Sequence, residues 1–317
     1  MIRQPPVCRP IRLSRALALS LSIMTAAAAQ SGHPWQPYIL VGESGHNLAR
    51  TSRDLVQRLF LQNYRLLGRY HPGGDTSREV LVVTHPALLA ATGIGPPEGL
   101  LAAVCRIALE SKGGFTYIRM QNMPYWGQAW YGDRYPAVAT ALETFQRSLL
   151  AAMPPLRGQF NRYYGGPARP LEPARLRAYR YSRRSPGLSD WRVLARFGLQ
   201  ADAVQAVEQA LARAEGIAKV FSLPAPGGAG QLFGFALSGD PDDGEILTLL
   251  DRGQLRHAAS LPYELLVYDG QIMVLPLRYR LPLGSPGMDR RTFRQLKKLQ
   301  NRWFEKLSSL FAGAGGN

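Results

Sequence analysis

The sequence predicts an α+β protein of two related domains, each an antiparallel sheet covered by helices, arranged as a pseudo-symmetric pair. Predicted strands meet as hairpins around Gly113-Gly114 and Asp269-Gly270 instead of alternating with helices, which favours antiparallel pairing. The same order of helix, strand, turn, strand and hairpin occurs twice along the chain. The length of 317 residues also exceeds what one hydrophobic core usually organises.

The first 29 residues have the pattern of a secretory signal peptide. Four arginines and no acidic residue precede an apolar run over residues 16–28, and Ala27-Ala28-Ala29 supplies a cleavage site. The apolar run is shorter than the roughly 20 residues that cross a bilayer. The sequence therefore predicts a periplasmic or secreted protein, with an uncleaved N-terminal anchor as the alternative.

The first predicted domain spans residues 35–150. Leu55, Leu59 and Phe60 recur at helical spacing, so a helix is expected over residues 52–61. The other expected elements are strands at 64–70 and 79–84, a short helix at 86–91, a hairpin of strands at 104–110 and 115–120, and a closing helix at 138–150.

Residues 151–173 are rich in proline, glycine and arginine and are predicted to be a linker. Residues 174–312 are predicted to form the second, divergent domain, in the same order as the first. Its expected elements are a helix at 201–214, strands at 217–223 and 231–237, a helical turn at 244–251, paired strands at 263–268 and 271–279, and a final helix at 289–310.

The chain is strongly basic, with 38 lysines and arginines against 22 acidic residues and a formal net charge of +16. Such a charge favours acidic partners: a small molecule, a protein or an anionic membrane surface. An equally simple explanation is a GC-rich genome that supplies arginine at solvated positions. An arginine- and tyrosine-rich tract over residues 175–184 resembles a nucleic-acid contact, but an exported protein seldom meets nucleic acid, so none is predicted as a partner.

Cysteine usage limits the chemistry that the chain can carry. Cys8 falls in the predicted signal peptide, so Cys105 is the single cysteine of the mature chain and an intramolecular disulfide is excluded. Cys105 is a candidate reactive thiol, with His71 or His85 as base or co-ligand. Its aliphatic neighbours favour a buried, inert side chain. Because no two ligand residues share a metal-binding spacing, no metal and no cofactor are predicted.

A segment dense in aromatic and polar residues supplies the candidate binding residues. Aromatic rings with a few polar groups are typical of small-molecule pockets, of protein interfaces and of ordinary core packing, and all three interpretations stay open. No catalytic residue is predicted, because no hydrolase, phosphate-binding or metalloprotease motif occurs. The candidates are Tyr117, Arg119, Asn122, Tyr125, Trp126, Trp130, Tyr131 and Arg134.

Short motifs of the first domain resemble a known family. They are Thr84-His85-Pro86, Gly99-Leu100-Leu101, Val104-Cys105-Arg106-Ile107, the Gly113-Gly114 turn and Gln121-Asn122-Met123-Pro124. Over residues 38–130 the chain is similar to the domain of unknown function 302 (DUF302), a family of small bacterial α+β domains. The second half, with Leu261-Pro262-Tyr263-Glu264, resembles the divergent second copy of exported two-domain relatives.

The sequence departs from that family at three points. Val104 stands where the family usually has proline, Met123 separates the usual Asn-Pro pair, and the second half has no cysteine. The resemblance implies a fold and a tandem arrangement. It implies no activity, cofactor or catalytic residue.

The function that the sequence favours is a non-catalytic periplasmic binding or accessory protein for an acidic small molecule, surface or partner; whether any reaction is catalysed is left open. One alternative is a thiol- or metal-dependent redox protein using Cys105 with His71 or His85. Another is a peripheral membrane protein that attaches through its last helix, where basic residues flank an apolar stripe containing Trp303 and Leu307. That stripe would equally suit a helix closing the second core.

Overall fold

The computed structural model describes residue 1 and residues 35–95, 97–251, 256–285 and 287–313. The predicted signal peptide, residues 1–29, lies outside this part of the chain except for its first residue. From residue 35 onward the described chain packs as one unit. Within the described ranges, no helix combines the length and apolar character needed to cross a membrane.

Each half contains a leading strand, a helix, a hairpin-rich sheet and two closing helices. The first half consists of β1 (Tyr38–Ser44), α1 (Leu48–Leu61), β2 (Arg65–Tyr70), β3 (Arg78–Thr84), α2 (Pro86–Ala91), β4 (Cys105–Lys112), β5 (Phe115–Gln121), α3 (Met123–Tyr131), α4 (Ala139–Ala151) and β6 (Gly158–Tyr164). The second half consists of β7 (Arg192–Arg196), α5 (Gln200–Arg213), β8 (Ile217–Pro224), β9 (Gly230–Leu237), α6 (Asp243–Leu250), β10 (Tyr263–Tyr268), β11 (Gln271–Val274), α7 (Leu277–Gly284) and α8 (Arg290–Ser309).

The two sheets share one topology. The first has the order β2-β3-β4-β5-β1-β6, and the second has the order β8-β9-β10-β11-β7, with every pairing antiparallel. Strand for strand, the second order repeats the first, and only β6 lacks a counterpart. The predicted α+β fold of two related, helix-covered antiparallel sheets is confirmed.

In both halves a glutamine side chain of the last helix binds the N-terminus of the helix before it. The Gln146 side chain on α4 accepts a hydrogen bond from the backbone N–H of Met123 at 2.9 Å, at the start of α3. The Gln300 side chain on α8 accepts one from Arg278 N at 2.9 Å, at the start of α7. Each glutamine satisfies a helix N-terminal donor that would otherwise be unpaired in the interior.

Helix α8 is a core element of the second half. Trp303 and Leu307 are both 0% exposed, and Trp303 packs edge-on against Tyr263 of β10 with ring centroids 4.9 Å apart. The apolar stripe considered for membrane attachment is therefore covered by the protein itself. Its burial removes the physical basis for attachment through this helix.

Four strands and two helices differ from the sequence-based expectation: β1, β6, β7, β11, α3 and α7. Strand β6 forms within the segment predicted to be a linker and pairs with β1 at the sheet edge. Strands β1 and β7 were not anticipated. The strand expected over 271–279 ends at Val274, because Pro276 becomes the N-cap of α7. Arg278 and Arg280 therefore lie on a helix, from which Arg280 pairs with Glu264 of β10.

The halves meet around a pseudo-twofold axis. The short 3₁₀ turn Ala258–Ser260 packs on β3, β4 and β5, and the equivalent turn Glu98–Ala102 packs on β9. Edge strands β2 and β8 also come together at Gly68, where an added Cβ would collide with the carbonyl of Val220. Each half thus places its 3₁₀ turn on the sheet of the other half, and these contacts join the two halves into one packed unit.

Candidate functional site

Side chains of the first sheet divide between two faces. Strand alternation and the β4–β5 register place Arg106, Glu110, Arg119 and Gln121 on one face, which the second half covers at one end. Cys105 points to the opposite face, against which α1 packs. The chemistry of the molecule is concentrated on the first of these faces.

A buried ionic junction lies where that face meets the second half. Arg106 pairs with Glu264, and Glu264 also pairs with Arg280; all three are at most 4% exposed. Arg106 Nε donates to the Pro262 carbonyl at 3.2 Å, and its Nη1 donates to Gln121 Oε1 at 3.2 Å. These interactions occupy the charged groups with one another, so the junction is a structural connection.

Beyond the second half, the same face opens into a cleft of about 340 Å³. We call it the arginine cleft. Strands β3 to β6, β1 and the Arg256 segment supply its walls. Its lining residues are Leu40, Ser77, Arg78, Glu110, Ser111, Lys112, Gly113, Phe115, Tyr117, Arg119, Arg162 and Arg256.

An ion pair forms the floor of the arginine cleft. Arg119 pairs with Glu110, and both side chains are less than a tenth exposed. Burial raises the pKa of Glu110 although the guanidinium beside it acts in the opposite direction. The Arg119 guanidinium also lies over the Tyr117 ring, 5.5 Å from its centroid. Within the described residues, Arg119 Nε and Glu110 Oε1 have no hydrogen-bond partner.

The rim of the arginine cleft carries more positive charge than its acids neutralise. Arg78 binds Asp251 at 2.7 Å, and Arg256 approaches the same carboxylate at 3.5 Å. Burial acts to raise the pKa of Asp251, but His257 and Arg78 outweigh it and hold that pKa below its usual value. Lys112 and Arg162 form no ion pair with any residue that the structure describes. These two cations are available to a ligand.

The second half provides an internal comparison for these charges. Counting along the matched hairpins from Arg106 and Glu264, Glu110 corresponds to Tyr268, and Arg119 to Met273. The same fold thus accepts an uncharged residue at each position. Because burying an ion pair is costly, the charges at Glu110 and Arg119 need an explanation other than the fold.

The structure separates the predicted binding residues into three locations. Tyr117 and Arg119 line the arginine cleft, whereas Arg134 is exposed and donates to the Ile94 carbonyl at 3.3 Å. The other five are buried on or next to α3: Asn122, Tyr125, Trp126, Trp130 and Tyr131.

The buried aromatic residues of α3 pack at the contact between the halves and against β1. Tyr125 Oη donates to the Leu283 carbonyl at 2.7 Å, and Trp126 Nε1 donates to the Pro37 carbonyl at 3.0 Å. Trp126 stacks on Trp130, with ring centroids 5.4 Å apart. These rings have the geometry of core packing, in which polar edges find backbone partners.

Cys105 and the two histidines each have a local environment of their own. Cys105 is fully buried, and burial raises the pKa of its thiol to about 12, so the thiol stays protonated near neutral pH. His85 caps α2 by accepting from Ala87 N at 3.2 Å. Nδ1 of His71 lies 2.5 Å from the Arg78 carbonyl. No group of three or more His, Cys, Asp or Glu side chains in the described ranges is placed to hold a metal ion.

Sequence reasoning missed most of the arginine cleft. Arg78, Lys112 and Arg162 come from three separate strands, and Arg256 precedes a short turn. Only β4 carries a signal in its sequence, with charges at Arg106, Glu110 and Lys112 on one face of an otherwise apolar strand. Register across the sheet is needed to bring the cleft residues together.

Comparisons with known proteins give one partial similarity. No protein-family profile matches the chain, and no curated protein matches it. A solved structure described as an uncharacterized conserved protein DUF302 from Bacillus stearothermophilus is similar to part of the chain. The similarity covers 38% of this chain and 95% of that chain, with 19% sequence identity and a TM-score of 0.29. Its description names no ligand or activity.

Proposed function

We propose that this protein binds an anionic small molecule in the arginine cleft and acts as a carrier or accessory protein and not as an enzyme. One observation supports this above the others. A buried Arg119–Glu110 pair, together with Lys112 and Arg162, which form no ion pair with any described residue, lies on one sheet face; the duplicate of that face carries Tyr268 and Met273 at the positions of the pair. Export through residues 1–29 is part of the proposal.

The chemistry of the lining suits a carboxylate or a phosphate. Arginine presents a planar fork of donors that matches either group with two parallel hydrogen bonds. The volume of about 340 Å³ falls at the lower end of small-molecule pockets. Phe115 and Tyr117 add apolar surface beside the cations, which suits a ligand with a short carbon skeleton between its charges.

The first experiment is isothermal titration calorimetry with citrate, succinate, glutamate and inorganic phosphate as probes. We expect at least one probe to bind, and K112Q/R162Q to weaken it by about tenfold or more, because the loss of even one charge-assisted hydrogen bond removes about 1.5–3 kcal/mol. The matched control is R147Q/R291Q, which removes two exposed arginines outside the cleft. It keeps the total charge equal to that of the test variant.

A second variant separates binding from folding. E110Y/R119M places in the first half the residues that the second half has at the same positions. We expect it to fold and to lose the probe. The proposal is wrong if no probe binds the unmodified protein, or if both cleft variants bind as tightly as the control.

A further inference from the structure

Helix α1 ends in two large apolar side chains that project into solvent. Phe60 is 78% exposed and Leu61 is 72% exposed. Gln62 caps the helix, and Asn63 adopts a left-handed conformation with φ 61°, which turns the chain back to the buried Tyr64. The turn holds both side chains at a protruding corner, which we call the α1 tip (residues 60–63).

Arginines surround the α1 tip. Residues 50–70 contain five arginines and a single acidic residue, Asp54. Two of these arginines have acidic partners: Arg50 pairs with Asp54 at 3.9 Å, and Arg69 with Glu79 at 3.7 Å. The other three are exposed and form no ion pair with any described residue; they are Arg53, Arg58 and Arg65.

The duplicate helix α5 shows that the fold does not require this tip. Buried Leu55 and Leu59 of α1 match buried Val207 and Leu211 of α5. At the positions of Phe60 and Leu61 the second half has Ala212 and Arg213. At the positions of Arg53 and Arg58 it has Gln205 and Ala210. The exposed Phe60 and Leu61, and the arginines at positions 53 and 58, therefore have no counterpart of the same type at the matched positions of α5.

We propose that the α1 tip docks on an anionic lipid surface. Phe60 and Leu61 would enter the boundary between headgroups and acyl chains, where apolar side chains leave water. Arg53, Arg58 and Arg65 would lie at the level of the lipid phosphates, which attract basic residues next to an inserted segment. A lipid surface fits better than an apolar protein groove, because Arg53, Arg58 and Arg65 form no ion pair with any described residue and so favour an anionic partner. The inference does not depend on the arginine cleft.

The test places an environment-sensitive fluorophore at the tip of the full-length chain. L61C in a C8S background is labelled with a nitrobenzoxadiazole dye, while the buried Cys105 stays unreactive. The control is L199C, which labels a residue that is 64% exposed on the second half. Vesicles contain phosphatidylcholine alone, or phosphatidylcholine with about a third phosphatidylglycerol. We expect a blue shift and brightening at residue 61 only, with the anionic vesicles only, and reversed by high salt.

Sedimentation of the unlabelled protein with the same anionic vesicles gives a second measurement. F60A/L61R installs the residues of the second half and adds one positive charge. At a limiting lipid concentration, we expect this variant to reduce the vesicle-bound fraction of the protein by about tenfold. The inference is overturned if the dye at residue 61 shows no change, if residues 61 and 199 respond alike, or if neutral vesicles give the same response. Vesicle binding of F60A/L61R equal to that of the unmodified chain also overturns it, since charge alone would then explain attachment.

Discussion

Arg106 and Glu264 occupy equivalent positions in the two halves, and they pair with each other. Each is the second residue of its strand and follows the end of the preceding 3₁₀ turn by four positions. Their side chains are 2% and 4% exposed and meet at the pseudo-twofold axis, where Arg280 binds the second oxygen of Glu264. The junction between the halves is thus centred on one carboxylate between two arginines.

We expect E264A to lower the free energy of unfolding by about 3–5 kcal/mol, because it leaves Arg106 and Arg280 buried without a counter-charge. Urea denaturation measures this change. E208A provides the comparison: Glu208 pairs with Lys219 at the surface, so its loss should cost less than about 1 kcal/mol. An equal loss of unfolding free energy in E264A and E208A would show that the buried ion pairs stabilise the protein no more than a surface pair does.

Asp243 gives the stability of the protein a dependence on pH. Burial raises its pKa from 3.8 to about 7, and the nearby Leu237 backbone and Tyr70 hydroxyl act in the opposite direction. The folded state therefore binds this proton more tightly than the unfolded chain. The resulting stability is complete below the unfolded pKa and is lost as pH rises through about 7.

We accordingly expect D243N to become progressively more stable than the unmodified protein as pH rises from about 4 to about 7, by at most about 4 kcal/mol. Thermal unfolding across that interval measures the gain. D202N, which changes an exposed aspartate of α5, should show no such trend. A constant difference between D243N and the unmodified protein at all pH values would contradict the assignment.

Gly73 and Gly74 test the contact between the halves with one matched pair of substitutions. Both have positive φ, 63° and 71°, so alanine strains the backbone at either position. An added Cβ at Gly73 would lie 2.8 Å from the Cα of Gly244, whereas at Gly74 it meets nothing within 4 Å. We expect G73A to destabilise the protein more than G74A, with a free energy of unfolding lower by an additional ~1–3 kcal/mol. Thermal or urea unfolding of the two variants measures this difference. Equal losses would mean that Gly244 can move aside.

Cys105 should be unreactive in the folded protein. Its burial and raised pKa leave almost no thiolate at about pH 8, so Ellman's reagent should modify it only after unfolding. Reaction rates in buffer and in about 6 M guanidinium chloride, measured on a C8S variant, test this. Fast modification in buffer would show that the Cys105 thiol is accessible and reactive in the folded protein.

Local patterns predicted most helices and hairpins of the fold. Leu55 and Leu59 marked α1, and the Gly113-Gly114 and Asp269-Gly270 turns marked both hairpins. Edge strands were missed because their alternation is weak: β6 is mostly exposed, and β7 is only partly buried. Their strand conformation comes from partners that are distant in sequence.

The candidate site was predicted less completely for a different reason. Tyr117 and Tyr125 belong to the same aromatic-rich segment, yet one lines the arginine cleft and the other is buried on α3. Aromatic-rich composition is typical both of a pocket and of a core, so it does not distinguish Tyr117 from Tyr125. The change from strand β5 to helix α3 at Asn122 is what separates the two residues. The rim cations depend on strand register, which a single sequence does not specify.

The position of Arg106 and Glu264 on the pseudo-twofold axis has a consequence for the separated halves. A residue on such an axis meets its own copy whenever two identical halves associate. Two copies of the first half would bring Arg106 against Arg106, a repulsion between buried like charges, whereas in two copies of the second half Arg280 would still neutralise each Glu264. Expressed apart, the first half should therefore pair less stably with itself than with the second half, so the charges at the junction favour the tandem partner.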